Sequence, residues 1–112
     1  MDKPGRVKIV RLDANSKYQR LFSKDSGTCA IKSGHVILKP GEEIGEHSTN
    51  ELEEVLVILK GKGELAIDKD KALKIEPSTV LYVPPFTNHN VKNNSKDILE
   101  YIFVTSNAAQ RP

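Results

Sequence analysis

No stretch of this chain sustains a 3.6-residue apolar period; its hydrophobic residues fall instead into eight short runs. The runs are Arg6–Leu12, Cys29–Lys39, Glu54–Lys60, Glu64–Asp68, Ala72–Glu76, Val80–Pro84, His89–Lys92 and Asp97–Thr105. Turn-forming clusters separate them: Lys39-Pro40-Gly41, Lys60-Gly61-Lys62-Gly63, Asp68-Lys69-Asp70-Lys71, Pro84-Pro85 and Asn93-Asn94-Ser95. Leu65/Ile67 and Leu73/Ile75 alternate with polar neighbours, as half-buried antiparallel strands do. Val55–Leu59 is apolar on both parities, which predicts a central strand covered on both faces. Many short strands at regular spacing predict an all-β chain folded as a small antiparallel β-sandwich or barrel. No repeat or linker divides residues 1–112, so one domain is expected, with only the N-terminal strand 6–12 and the tail 106–112 peripheral.

A chain of 112 residues buries about two-thirds of its extended surface, enough for a core without staples. A single cysteine, Cys29, excludes an internal disulfide framework and any cysteine-based zinc cage, and it reads as a small strand residue. The longest aliphatic run, Val55–Leu59, is far short of a membrane helix, and Met1–Gly5 has no apolar stretch, so a cytoplasmic protein is expected. The net charge of +2 is unevenly spread. Residues 1–39 carry nine basic and three acidic side chains, and residues 40–67 carry two and seven. With aromatics at 5% and no Trp to interleave with the basic residues, nucleic-acid binding is not expected.

The chemistry gathers around two histidine-bearing turns. His47 ends the segment that begins Pro40-Gly41, ahead of Glu51, Glu53 and Glu54; His89 ends Pro84-Pro85-Phe86-Thr87-Asn88 and precedes Asn93. These segments resemble the two motifs of the cupin superfamily, G(x)5HxH(x)3–4E(x)6G and G(x)5PxG(x)2H(x)3N. The first is matched by Gly41, His47, Glu54 and Gly61, with Thr49 in place of the second histidine. The second is matched by Pro84, His89 and Asn93, with Ser78 and Phe86 where glycines are usual. Glu53 fits a shorter spacing but leaves Gly61 out of register, so Glu54 is preferred.

The resemblance implies a double-stranded β-helix of jelly-roll type and a metal site in the barrel mouth. Carried over residue by residue, the implied ligands are His47, Glu54 and His89 for a divalent transition metal such as Fe, Mn, Ni or Zn. Two imidazoles and one carboxylate suit such an ion and leave positions open for substrate or dioxygen. Thr49 does not carry over, because a neutral hydroxyl is a weak ligand; it is instead a candidate pocket residue, as are Tyr82 and Tyr101 through their hydroxyls. His35 belongs to no motif and reads as structural. Two functions stay open: metal-dependent chemistry on a small polar molecule (oxygenation, decarboxylation or isomerisation), or a non-catalytic ligand-binding or sensing module without a catalytic metal. The resemblance also implies a homodimer, with Arg6–Leu12 crossing over to cap a sheet edge.

Overall fold

The structure is a computed structural model that describes residues 6–108. Nine strands form two antiparallel sheets: β1 (Tyr18–Arg20), β2 (Lys32–Leu38), β3 (His47–Ser48), β4 (Leu52–Lys60), β5 (Gly63–Ile67), β6 (Lys71–Ile75), β7 (Val80–Val83), β8 (Asn88–Lys92) and β9 (Leu99–Asn107). One sheet has the order β1-β2-β9-β4-β7 and the other β3-β8-β5-β6. A single 3-10 turn, Lys24–Ser26, is the only helical element among the described residues, and no helix is long and apolar enough to cross a membrane. The all-β expectation holds.

Period-two alternation builds the core between the sheets. Val36 and Leu38 of β2, Leu56 and Ile58 of β4, and Leu99 and Tyr101 of β9 face Leu65, Ile75 and Val91 of the other sheet. Glu54 shares the inward parity of Leu56 and Ile58, so the strand that builds the core also carries a carboxylate inside.

Several expectations are corrected. Arg6–Leu12 forms no strand and makes no ladder among the described residues; Val7 and Ile9 are 97% and 94% exposed. Its alternation lacked a neighbouring edge to pair with. The strand expected from Cys29 begins at Lys32, leaving Cys29 exposed. Ser106 and Asn107 are not tail but the end of β9, paired with Glu53 and Leu52; Met1–Gly5 and 109–112 lie outside the described residues. Only one face of Val55–Leu59 is well covered, since Val55 and Val57 are half-buried and Leu59 is exposed. Leu73 is likewise exposed, although Ile75, two residues on, is core.

His35 lies on the outer face of β2, opposite in parity to Val36 and Leu38, yet it is fully buried. The chain at 11–13 covers this region, held there by Gln19, which donates to the Arg11 carbonyl at 3.0 Å and accepts from the Asp13 N–H at 2.8 Å. Gln19 is the register partner of His35. Asp13 closes its own turn with Ser16 Oγ and the Asn15 N–H; these bonds, with a smaller effect from His35, hold its carboxyl below the usual range.

Candidate metal centre

Residues 41–48 run beside β8, linking Glu43 to Lys92 and setting His47 directly opposite His89 in the β3–β8 ladder. This pairing brings the two histidine turns together, with ring centroids 4.3 Å apart. Glu54 enters from the facing sheet. One donor atom from each of His47, Glu54 and His89 lies within 4.8 Å of the others, with Glu54 and His89 buried and His47 exposed. The Glu54 Oε1 to His89 Nε2 separation of 2.8 Å is close to the roughly 3 Å that two bonds of about 2.1 Å at a right angle to one ion produce.

Hydrogen bonds orient both rings. His47 Nδ1 lies 2.8 Å from the Gly45 carbonyl, and His89 Nδ1 lies 3.0 Å from the Thr87 carbonyl. A carbonyl only accepts, so each Nδ1 carries the hydrogen and each Nε2 is left for another partner. For His89 that partner is a carboxylate, which also only accepts. The contact closes only when a cation, either a proton or a metal, sits between Nε2 and Oε1. Burial opposes charge on His89, but the Glu54 hydrogen bond, the Thr87 carbonyl and the charge of Glu54 outweigh it and raise the pKa above the ordinary 6.5. The donor set therefore fits a divalent transition metal.

Thr49 is buried beside the site but is engaged elsewhere: its hydroxyl donates to the Pro84 carbonyl at 2.7 Å and accepts from the Thr87 N–H at 3.1 Å. It latches the first turn to the second. Phe86 N–H donates to the Asn50 carbonyl, adding a second tie. Ser78 and Phe86, which stand where the motif has glycine, both adopt left-handed backbone (φ +60° and +54°), as do Gly41 and Gly61. At Gly61 a Cβ would collide with the Ile98 carbonyl. Asn93 is structural: its amide donates to the Leu38 and Asp97 carbonyls, both at 2.8 Å.

The triad opens into a cavity of about 300 Å³ with walls that include Ile44, Leu56, Val91 and Phe103. Tyr101 lines it, and burial, then Glu54 and Tyr18, push its phenol well above the usual range, so it stays protonated. Tyr82 does not belong to it. Tyr82 pairs with outward-facing Val55, is 57% exposed, and donates to Glu53 Oε1 at 2.8 Å on the outer surface. Among the lining residues that the sequence did not single out are Tyr18 and Lys32. Lys32 shares the parity of Gly34, Val36 and Leu38, which sets it on the cavity side of β2, but at the strand's first position it lines the mouth and stays exposed.

The cupin-domain family model matches residues 34–105. An uncharacterized protein of Methanocaldococcus jannaschii is 27% identical over 99 residues, covering 88% of this chain and 82% of that one. Among solved structures, a cupin 2 conserved barrel domain protein from Salinispora arenicola has a TM-score of 0.78 at 23% identity, covering 94% of this chain and 92% of that one. An RmlC-like cupin family protein with a double-stranded β-helix fold from M. jannaschii has a TM-score of 0.77 at 21% identity, covering 92% and 94%. With strand order, both histidine turns and the family match in agreement, the chain belongs to the cupin-domain family.

Proposed function

We propose that His47, Glu54 and His89 hold a divalent transition metal and that the cavity above them receives a small polar molecule. The observation that carries this reading is His89 set between two acceptors, the Thr87 carbonyl and Glu54 Oε1. Fe, Mn, Ni and Zn all suit two imidazoles and a carboxylate. These three residues would hold the ion with positions open, and it would supply Lewis-acid polarisation of an oxygen on the bound molecule. The chain's own residues do the rest. The Gly45 and Thr87 carbonyls fix the ring tautomers, Thr49 locks the two turns together, and Ile44, Leu56, Val91 and Phe103 give the cavity an apolar wall.

Elemental analysis of untagged protein, followed by calorimetric titration with Ni²⁺ and Mg²⁺, tests the site. Stoichiometric metal and micromolar or tighter Ni²⁺ binding are expected, with little for Mg²⁺, which prefers oxygen ligands. Substoichiometric metal under every loading condition overturns it. The second reading, a binding or sensing module without turnover, is favoured by Thr49: its hydroxyl is spent on Pro84 and Thr87, so it supplies neither a fourth ligand nor a general base. Metal-loaded protein that binds ligand but converts none would select that reading.

A second copy of this chain is the proposed partner. The exposed arm with Val7 and Ile9 has no ladder among the described residues, while β7 ends its sheet with Val80 and Tyr82 exposed. Arm and edge are complementary features of one chain, and pairing them covers both. Sedimentation at micromolar concentration should give a dimer that Ile9→Lys dissociates; a wild-type monomer overturns it.

A further inference from the structure

Lys32 of β2, Thr105 of β9 and Glu54 of β4 are successive register partners across one sheet. All three line the cavity, so Lys32, exposed at its mouth, stands two strand spacings, about 10 Å, from the Glu54 backbone. Apart from the triad, Lys32 is the only charged residue lining the cavity, and among the described residues no carboxylate lies within ion-pairing distance of it. A divalent ion against one carboxylate would leave net positive charge, and Lys32 adds to it, so the charge lining the cavity favours an anion. Tyr101 supplies the second, independent observation. It is 2% exposed, lines the cavity, and its hydroxyl makes no hydrogen bond among the described residues. That hydroxyl opens onto the cavity, where a phenol can donate to an oxygen acceptor.

Building on the metal site proposed above, we infer that the cavity takes a small monocarboxylate with a compact apolar body. Its carboxylate pairs with Lys32, and a second oxygen at the other end accepts from Tyr101 close to the triad. A phosphate fits less well, because phosphate sites converge several donors and this wall offers one ammonium. The nearby Arg20 is engaged with Asp25 at 3.2 Å. Leu52, Leu56, Ile44 and Phe103 provide the apolar enclosure. Gly34 makes room for it, since a Cβ there would strike the Phe103 ring.

Three probes of matched shape test the inference: 4-hydroxybenzoate, 4-hydroxybenzamide and 4-hydroxybenzylamine. Each is titrated by calorimetry into wild type, Lys32→Gln, Lys32→Glu and Tyr101→Phe, with Ni²⁺ and after chelator treatment. In wild type the acid should bind at least about tenfold tighter than the amide. Lys32→Gln should bring acid and amide within about threefold, and Lys32→Glu should favour the amine. Tyr101→Phe should weaken the acid several-fold. All three variants should bind Ni²⁺ within about twofold of wild type, because none changes a ligand. Acid preference that persists without Ni²⁺ and vanishes in Lys32→Gln supports the inference even if the metal reading fails. Equal binding of acid and amide by wild type, a preference unchanged in Lys32→Gln, or no binding of any probe at millimolar concentration overturns it.

Discussion

Among the described residues two histidines are buried against a carboxylate, one inside the barrel and one outside, with opposite logic. His89 meets Glu54 at 2.8 Å and His35 meets Glu100 at 2.6 Å. Around His89 both ring nitrogens face acceptors and a second imidazole stands nearby. Around His35 the Nδ1 atom has no partner among the described residues. A hydrogen on His35 Nε2 therefore satisfies Glu100 without any added cation. What separates a ligand from a core histidine is thus the far nitrogen. Where a carbonyl occupies Nδ1, the near nitrogen is forced toward a cation; where Nδ1 is free, the ring's own Nε2 hydrogen suffices.

The sharpest break of this comparison is metal affinity. His89→Ala should weaken Ni²⁺ binding by about a hundredfold or more by calorimetry, whereas His35→Ala should leave it within about twofold. Equal losses would erase the distinction. Stability should rank the pairs the other way. His35→Ala empties a fully enclosed site and should cost about 2–4 kcal/mol in urea titration. His89→Ala in metal-free protein opens onto a cavity that water can enter and should cost about 1 kcal/mol.

The pH response is a smaller effect. The folded-state pKa of His89 is raised above 6.5, so its contribution to metal-free stability is complete below about pH 6.5 and is lost as pH climbs through the raised value. Metal affinity moves oppositely, strengthening over the same interval as the proton is removed. The melting temperature of metal-free wild type should fall across that window, and His89→Ala should lack this component. The smallest effect concerns the turn under His89. Phe86 is 75% exposed with φ +54°, so Phe86→Gly should relieve left-handed strain and stabilise by about 1 kcal/mol with Ni²⁺ affinity unchanged.

The apolar strands were legible because alternation reports burial directly, and Glu54 was separable from Glu53 by its spacing to Gly61. The structure agrees on parity: Glu54 faces in, and Glu53 bonds Tyr82 outside. Tyr82 was misread because a hydroxyl-bearing aromatic near a motif carries no parity by itself. Its register partner Val55 decides the face. β1 was missed because Tyr18–Arg20 is three residues with one aromatic, held by pairing to β2 rather than by any pattern of its own. Arg6–Leu12 shows the converse, alternation without an edge. The role of Thr49 was hidden for a further reason: a substitution reads as the loss of a ligand, whereas the hydroxyl's bonds to Pro84 and Thr87 depend on a turn far along the chain.

The ladder that sets His47 opposite His89 also has a kinetic consequence. Glu54 and His89 are 35 positions apart in sequence, and the chain between them includes the whole β5–β6 hairpin. The three donors cannot meet until that long loop has closed and both sheets have docked, so the site belongs to the late, non-local part of folding. An ion that recognises the assembled triad has little to hold in the open chain, and it stabilises the native state by mass action in proportion to the logarithm of its free concentration. Added during refolding, such an ion should slow unfolding far more than it speeds collapse, so that in this small barrel it would act as a clasp fastened after the strands have found their order.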